Sequence, residues 1–169
     1  MKNLEIYIHI PFCVRKCEYC DFLSFPADDD AKLRYVKGLM AEMIFYGPLM
    51  KNYQVSSVYI GGGTPSSIDE QWIAALMEGV FDCFNVLPDA EISIECNPGT
   101  LSREKLLAYR DAGINRLSIG LQSANNDELK LLGRIHTFEQ FVTNYEVARN
   151  VGFKNINVDL MYGLPGQSA

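Results

Sequence analysis

The sequence has no apolar run approaching the roughly 20 residues that a membrane-crossing helix needs, and its N-terminus lacks the charged, apolar and small-residue succession of a signal peptide. Both absences predict a cytoplasmic protein with no transmembrane segment. Positive charge is also short: 15 Lys and Arg against 21 Asp and Glu leave a net charge of -6, so there is no broad basic field and a nucleic-acid partner is not expected. Cysteine is sparse and odd in number. Five residues, three of them within one octapeptide, make a poor disulfide framework and suit a reducing compartment. The run Gly61-Gly62-Gly63 continues as Thr64-Pro65 and lacks the Lys-Ser/Thr ending of a phosphate-binding P-loop. What remains, 169 residues of which 48% are hydrophobic, is enough for one core and one domain.

Period-two apolar runs alternate with longer stretches of helical spacing along the whole chain. Strands are predicted at Leu4–Ile10, Ser57–Ile60, Glu91–Glu95, Arg116–Leu121 and Ile156–Met161. Between them lie helices opened by Asp28-Asp29-Asp30 (apolar at Leu33, Val36, Leu39, Met40, Met43 and Ile44), by Asp69, by Ser102-Arg103-Glu104, by Asn125 and by Thr137. Gly47-Pro48 ends or bends the first helix, and Gly113 closes the third. This β-α rhythm predicts an α/β fold with a parallel sheet. A doubly wound sheet, covered on both faces, would be apolar on both. Here one face of each strand is aliphatic, Leu160 included. The other carries Tyr7 and His9, Tyr59, Ser93 and Glu95, Ser118, Gly120 and Gln122, and Asn157, Asp159 and Met161. A partial (β/α) barrel, curved so that its polar face lines a cavity, satisfies both halves of the pattern.

The first strand runs into Cys13-Val14-Arg15-Lys16-Cys17-Glu18-Tyr19-Cys20. Three thiols on so short a loop can converge on one metal centre without help from the rest of the fold, and thiolate is the ligand that iron–sulfur clusters and zinc prefer. A four-iron cube held by three cysteines keeps one iron open, whereas structural zinc normally closes with four ligands. No second CxxC lies nearby, and His9 sits on a strand position that looks inward-facing. A zinc-stabilised binding module without redox chemistry therefore stands beside the cluster reading.

Glu95 and Asp159 are carboxylates on the inward face, where an unpaired charge is costly. Either they pair with Arg116 or Arg134, or they meet a hydroxyl or ammonium group of a ligand. Gln122 is a ligand contact or a satisfied core amide. The triple glycine is a tight turn or a place where backbone carbonyls and N–H groups approach a ligand closely. Cys83 and Cys96 read as small buried residues. Phe22, Phe25 and Pro26 form a lid or pack on the first helix, and His136 carries no readable signal.

Cys13, Cys17, Tyr19 and Cys20 match CxxxCxΦC with an aromatic at Φ, and in this the chain resembles the radical S-adenosylmethionine (SAM) superfamily. More narrowly, Tyr7-Ile8-His9-Ile10-Pro11-Phe12-Cys13, Gly61-Gly62-Gly63-Thr64-Pro65, Glu95-Cys96-Asn97-Pro98, Arg116 to Ser123 and Asp159 to Pro165 resemble the oxygen-independent coproporphyrinogen III oxidase group. The resemblance implies a [4Fe-4S] cluster on Cys13, Cys17 and Cys20, with SAM chelating the open iron and cleaved reductively to a 5′-deoxyadenosyl radical. It further implies that Tyr19 contacts the adenine, Gly62 and its neighbours the methionine end, and Glu95 a polar group of SAM. Tyr7, Gly63, Thr64, Gln122, Arg134 and Asp159 match further SAM-contact positions. A reductant protein such as flavodoxin or ferredoxin is an implied partner. The true oxidase carries a fourth cysteine two residues past the third, where this chain has Phe22. That ending resembles the HemW-type haem chaperones, with haem or a porphyrin as the implied cargo; decarboxylation of coproporphyrinogen III is the alternative. The superfamily core has six strands and the group adds a C-terminal domain, so residues 1–169 are expected to be a core truncated after its fifth strand, with an exposed sheet edge.

Overall fold

The computed structural model describes residues 1–167, so the last two positions of the expected domain lie outside the described residues. Five strands, β1 (Lys2–Ile10), β2 (Tyr53–Gly62), β3 (Val86–Cys96), β4 (Arg116–Gln122) and β5 (Asn155–Leu160), form one parallel sheet in chain order. Crossovers run through α1 (Asp29–Tyr46), α2 (Glu70–Cys83), α3 (Arg103–Asp111), α4 (Asn126–Leu131) and α5 (Phe138–Asn150).

Each helix begins where the sequence places a capping side chain. Asp28 accepts from Ala31 N (2.7 Å), Asp69 from Gln71 N (2.8 Å), Ser102 from Lys105 N (3.2 Å) and Asn125 from Asp127 N (2.8 Å). Thr137 and Gln140 bond reciprocally as a capping box. Gly47-Pro48 does end α1, and the chain continues as one 3-10 turn over Gly47–Met50.

The core lies on the aliphatic face. Ile8 and Ile10, Val58 and Ile60, Ile92 and Ile94, and Leu117, Ile119 and Leu121 are buried against Ile73, Leu76, Met77 and Val80 of α2 and Leu106 and Tyr109 of α3. The spacing of the α2 residues, i, i+3, i+4, i+7, is one helical stripe.

Three expectations of the sequence change. β2 and β3 start earlier than their apolar alternation, because bulges between Leu4 and Glu5 and between Val55 and Ser57 let irregular segments pair. Ile44, expected in the core, is 67% exposed because only the narrow Val36–Met43 stripe of α1 reaches it. Leu160 is 65% exposed, since β5 is the last strand of the sheet and a register shift after Gly120 pairs it with Gln122.

Candidate functional site

At the carboxyl ends of the strands, opposite the core, the polar face lines a cavity of about 430 Å³. Its first wall is the cysteine loop. Phe25 N donates to Pro11 O (3.0 Å), Cys13 N donates to Phe25 O (3.2 Å), and the Phe12 and Phe25 rings meet edge to face at 5.8 Å. Phe12 in turn packs on Tyr35 of α1, whose hydroxyl donates to His9 O (2.9 Å). The loop is thus closed at its base, and Phe25 does the packing rather than the lid work, whereas Phe22 stands 67% exposed at the cavity rim. Cys20 N donates to Cys17 O (3.1 Å), turning the loop back, and Glu18 N donates to Leu132 O (3.1 Å), docking it beside α4.

The triple glycine is a clasp. Gly63 N donates to Ile10 O (2.9 Å), Thr64 N donates to Phe12 O (2.7 Å), and Gly62 N donates to Glu95 Oε2 (3.0 Å). These three N–H groups are engaged by the protein itself, as a tight turn between strand and helix requires. Glycine is needed because the loop passes so close: a Cβ at position 63 would lie 2.7 Å from Phe12 O and 3.0 Å from Cys13 Sγ. Gly62 has φ +118°, and a Cβ there would lie 2.7 Å from the His9 ring.

Among the described residues, neither inward carboxylate pairs with an arginine. Glu95 accepts from the Tyr59 hydroxyl (2.9 Å) as well as from Gly62 N, and Asp159 accepts from Ser118 Oγ (3.2 Å) and Asn157 Nδ2 (2.7 Å). Arg116 goes to Glu91 (3.8 Å) and Ser93 (3.1 Å), lower on the sheet. Arg134 spans the cavity mouth instead: Nη1 donates to Cys17 Sγ (3.6 Å) and Tyr19 Oη (3.3 Å), and Nη2 donates to Gly120 O (2.6 Å). Its Nε is buried without a partner among the described residues. Gln122, beside it, holds φ +72°, a strained left-handed conformation for a non-glycine residue. His136, unreadable in the sequence, is buried between Asn97 Oδ1 (3.2 Å) and Leu121 O (3.2 Å), tying the segment after Arg134 to the ends of β3 and β4.

Burial pushes the Tyr19 phenol up against the opposing pull of Arg134, and it pushes Tyr59 up to about 12, reinforced by the hydrogen bond to Glu95. Both phenols stay protonated at neutral pH.

Of the residues singled out in the sequence, Cys13, Cys17, Cys20, Tyr19, Gly62, Gly63, Thr64, Glu95, Gln122, Arg134 and Asp159 all line the one cavity. Tyr7 does not. It lies on the edge strand, stacked on Tyr59 at 6.2 Å and hydrogen-bonded to His9 Nδ1 (3.1 Å), and is 59% exposed because among the described residues β1 has no neighbour on its outer side. Tyr59 was legible only as one more polar-face residue. Cys96, read as a plain buried residue, is buried and also reaches the cavity wall.

The thiol trio suits a cluster. Thr64 Oγ1 donates to Cys13 Sγ (3.4 Å) and Arg134 Nη1 to Cys17 Sγ, the kind of donor that steadies a ligating thiolate. Among the described residues, no three Cys, His, Asp or Glu side chains are gathered tightly enough for a single ion. Zinc would need its sulfurs about 3.8 Å apart, from Zn–S bonds of about 2.3 Å in a tetrahedron. An iron–sulfur cube offers a separate iron to each thiolate and needs no common point. His9 is spent on Tyr7 and on Leu23 O (3.4 Å).

Comparison with known proteins agrees with this geometry. The Radical SAM superfamily model matches residues 7–169. The chain is 40% identical over 171 residues to the heme chaperone HemW of Escherichia coli, covering 98% of this chain and 44% of that protein. It is also 40% identical over 163 residues to HemW of Bacillus subtilis, covering 96% and 43%. It thus spans less than half the length of these curated relatives. The structure of coproporphyrinogen III oxidase (HemN) from Escherichia coli superposes with a TM-score of 0.90 at 35% identity over 98% of this chain and 38% of that one. The partial barrel, the three-cysteine loop and the matched residues together establish that the chain belongs to the radical SAM superfamily, whose domain implies a [4Fe-4S] cluster and SAM.

Proposed function

We propose that this chain is the cofactor-binding core of a haem chaperone, with Cys13, Cys17 and Cys20 ligating a [4Fe-4S] cluster and SAM occupying the cavity beside it. The observation that carries the reading is the cysteine loop itself. It presents three thiols to a cavity floored by Glu95 and Asp159, and it has Phe22, exposed and apolar, where the oxidase pattern calls for another cysteine. Bound together, cluster and SAM supply one-electron reductive cleavage of a sulfonium.

The chain's own residues bind and orient. Tyr19, held by Arg134, offers its ring to the adenine. The Gly62-Gly63-Thr64 segment sets the distance between the sheet end and the cysteine loop. Glu95, Asp159 and Gln122 face the polar groups of the cofactor, and Arg134 joins the loop to β4 so that both walls move together. Tyr7 acts from outside the cavity, through its stacking on Tyr59. Haem or a porphyrin is the cargo and a reductant such as flavodoxin or ferredoxin the electron source, in a cytoplasmic setting where the cysteines are not drawn into disulfides.

Anaerobic reconstitution with iron and sulfide tests the first half: about four irons per chain are expected, and Cys17→Ala should abolish uptake. Retention of full iron by that variant, or one zinc and no acid-labile sulfide in anaerobically purified protein, overturns it. A second reading, oxidative decarboxylation of coproporphyrinogen III, draws on the close superposition with the oxidase structure. Haem titration and transfer to an acceptor apoprotein, run beside a decarboxylation assay, separate the two. Stable haem binding without decarboxylation is expected, and the reverse selects the oxidase.

A further inference from the structure

Glu95 combines two properties that seldom occur together. Its carboxylate is held at both oxygens, Oε1 by the Tyr59 hydroxyl (2.9 Å) and Oε2 by Gly62 N (3.0 Å), and both donors are neutral. Among the described residues no cation pairs with it: Arg116 is engaged by Glu91, and Arg134 by Cys17, Tyr19 and Gly120. An arginine or lysine in place of either donor would orient the carboxylate equally well and cancel its charge. A phenol and a peptide N–H orient it and leave the full negative charge facing the cavity.

We infer that Tyr59 is a positioning residue, whose hydroxyl locks the Glu95 carboxylate in place so that its uncompensated charge recognises the cationic end of the ligand. The inference rests on the reading of the cavity as a SAM site, where the cationic centre is the sulfonium, the amino group being the one implied to chelate the open iron. Tyr59 is itself fixed, its ring lying over that of Tyr7 with planes 20° apart. Its phenol is protonated at every working pH and remains a donor. Phenylalanine would keep the ring packing and leave Oε1 with no donor, freeing the flexible glutamate side chain to turn from its place.

The test uses the full chain, reconstituted anaerobically, with equilibrium binding of SAM and of 5′-methylthioadenosine, which keeps the adenosine and the sulfur but has neither the ammonium nor the sulfonium charge. Tyr59→Phe is expected to weaken SAM binding about tenfold, the weight of a hydrogen bond to a charged group. Methylthioadenosine affinity and iron per chain should stay unchanged. Tyr59→Phe added to Glu95→Gln should cost SAM less than about twofold more, because the two groups act as one unit. Equal weakening of both ligands would show a packing role and overturn the inference, as would additive losses in the double variant. SAM affinity kept by Tyr59→Phe but lost by Glu95→Gln also overturns it, while leaving the SAM site standing. SAM affinity kept by Glu95→Gln removes the role of Glu95, and the inference with it. The ratio of the two affinities does not depend on the fraction of folded protein, so a partly destabilised variant still decides the matter.

Discussion

His136 has oxygens on both ring nitrogens, Asn97 Oδ1 being held in place by Gly99 N (3.1 Å). Two acceptors favour the imidazolium, but burial, with the Arg134 cation adding to it, wins and lowers the ring from 6.5 to about 4. Between these values the unfolded chain carries a proton on His136 that the native protein does not. Stability is therefore full above about pH 6.5 and falls as the pH drops toward 4, by on the order of 3 kcal/mol. Urea unfolding across that range should give a shallower pH slope for His136→Gln than for the parent, and equal slopes would show that His136 is not the group responsible. Gly63 sets a second constraint. Its alanine variant must push Cβ against the Phe12 carbonyl and the Cys13 sulfur, an overpacking of about 1–3 kcal/mol. The same shift moves Cys13, a proposed cluster ligand, so iron per chain should drop together with the urea midpoint. Unaltered iron loading would mean that the loop can back away freely.

The helices start where local side chains tell them to, and α5 has the fullest cap, with Thr137 and Gln140 each bonding the other's backbone N–H. Thr137→Ala should cost about 1 kcal/mol, lowering Tm by roughly 2–4 °C. A larger loss would reveal a tertiary role for Thr137, given that His136 precedes it. The cysteine loop is an element of another kind, with neither helix nor strand between its ends. Its shape comes from the Phe12–Phe25 bridge at its base, the Gly63 and Thr64 N–H groups beneath and Leu132 O and Arg134 at its far side. Three separate parts of the chain thus hold the segment that bears the thiols, which gives the loop the rigidity that the proposed cluster ligation needs.

At the scale of the molecule, the sheet separates two environments. The aliphatic face is sealed by α2 and α3, while the opposite face carries Glu91 bonded to Ser93, Glu95 bonded to Tyr59, and Ser118, Asn157 and Asp159 bonded to one another. The outer edge of β5 pairs with β4 alone among the described residues, and Leu160 at its end and Tyr162 just beyond it are 65% and 95% exposed. Exposed apolar strand edges template association. Leu160→Lys should slow concentration-dependent aggregation of the chain, followed by light scattering, without shifting the urea midpoint by more than about 0.5 kcal/mol.

The sequence by itself determined whatever depends on near neighbours: the period-two alternation that assigns each strand an apolar and a polar face, the capping residues, and the cysteine spacing that names the superfamily. Its limits lie where strand register and long-range contact decide. Leu160 and Ile44 have the right spacing for the core and are left outside it, one by the sheet edge and register, the other by a narrow helix contact. Tyr7 shares a polar face with Tyr59 and still misses the cavity, because β1 is the outermost strand. Arg134 reaches Cys17 across 117 positions where two loops at the strand ends meet, and Tyr59 reaches Glu95 across 36 through the parallel pairing of β2 with β3, whose register shift leaves no mark in the residue pattern. Local chemistry therefore marks the candidate ligands, and only the packed sheet decides which neutral donors hold Glu95 and which cation is kept from it.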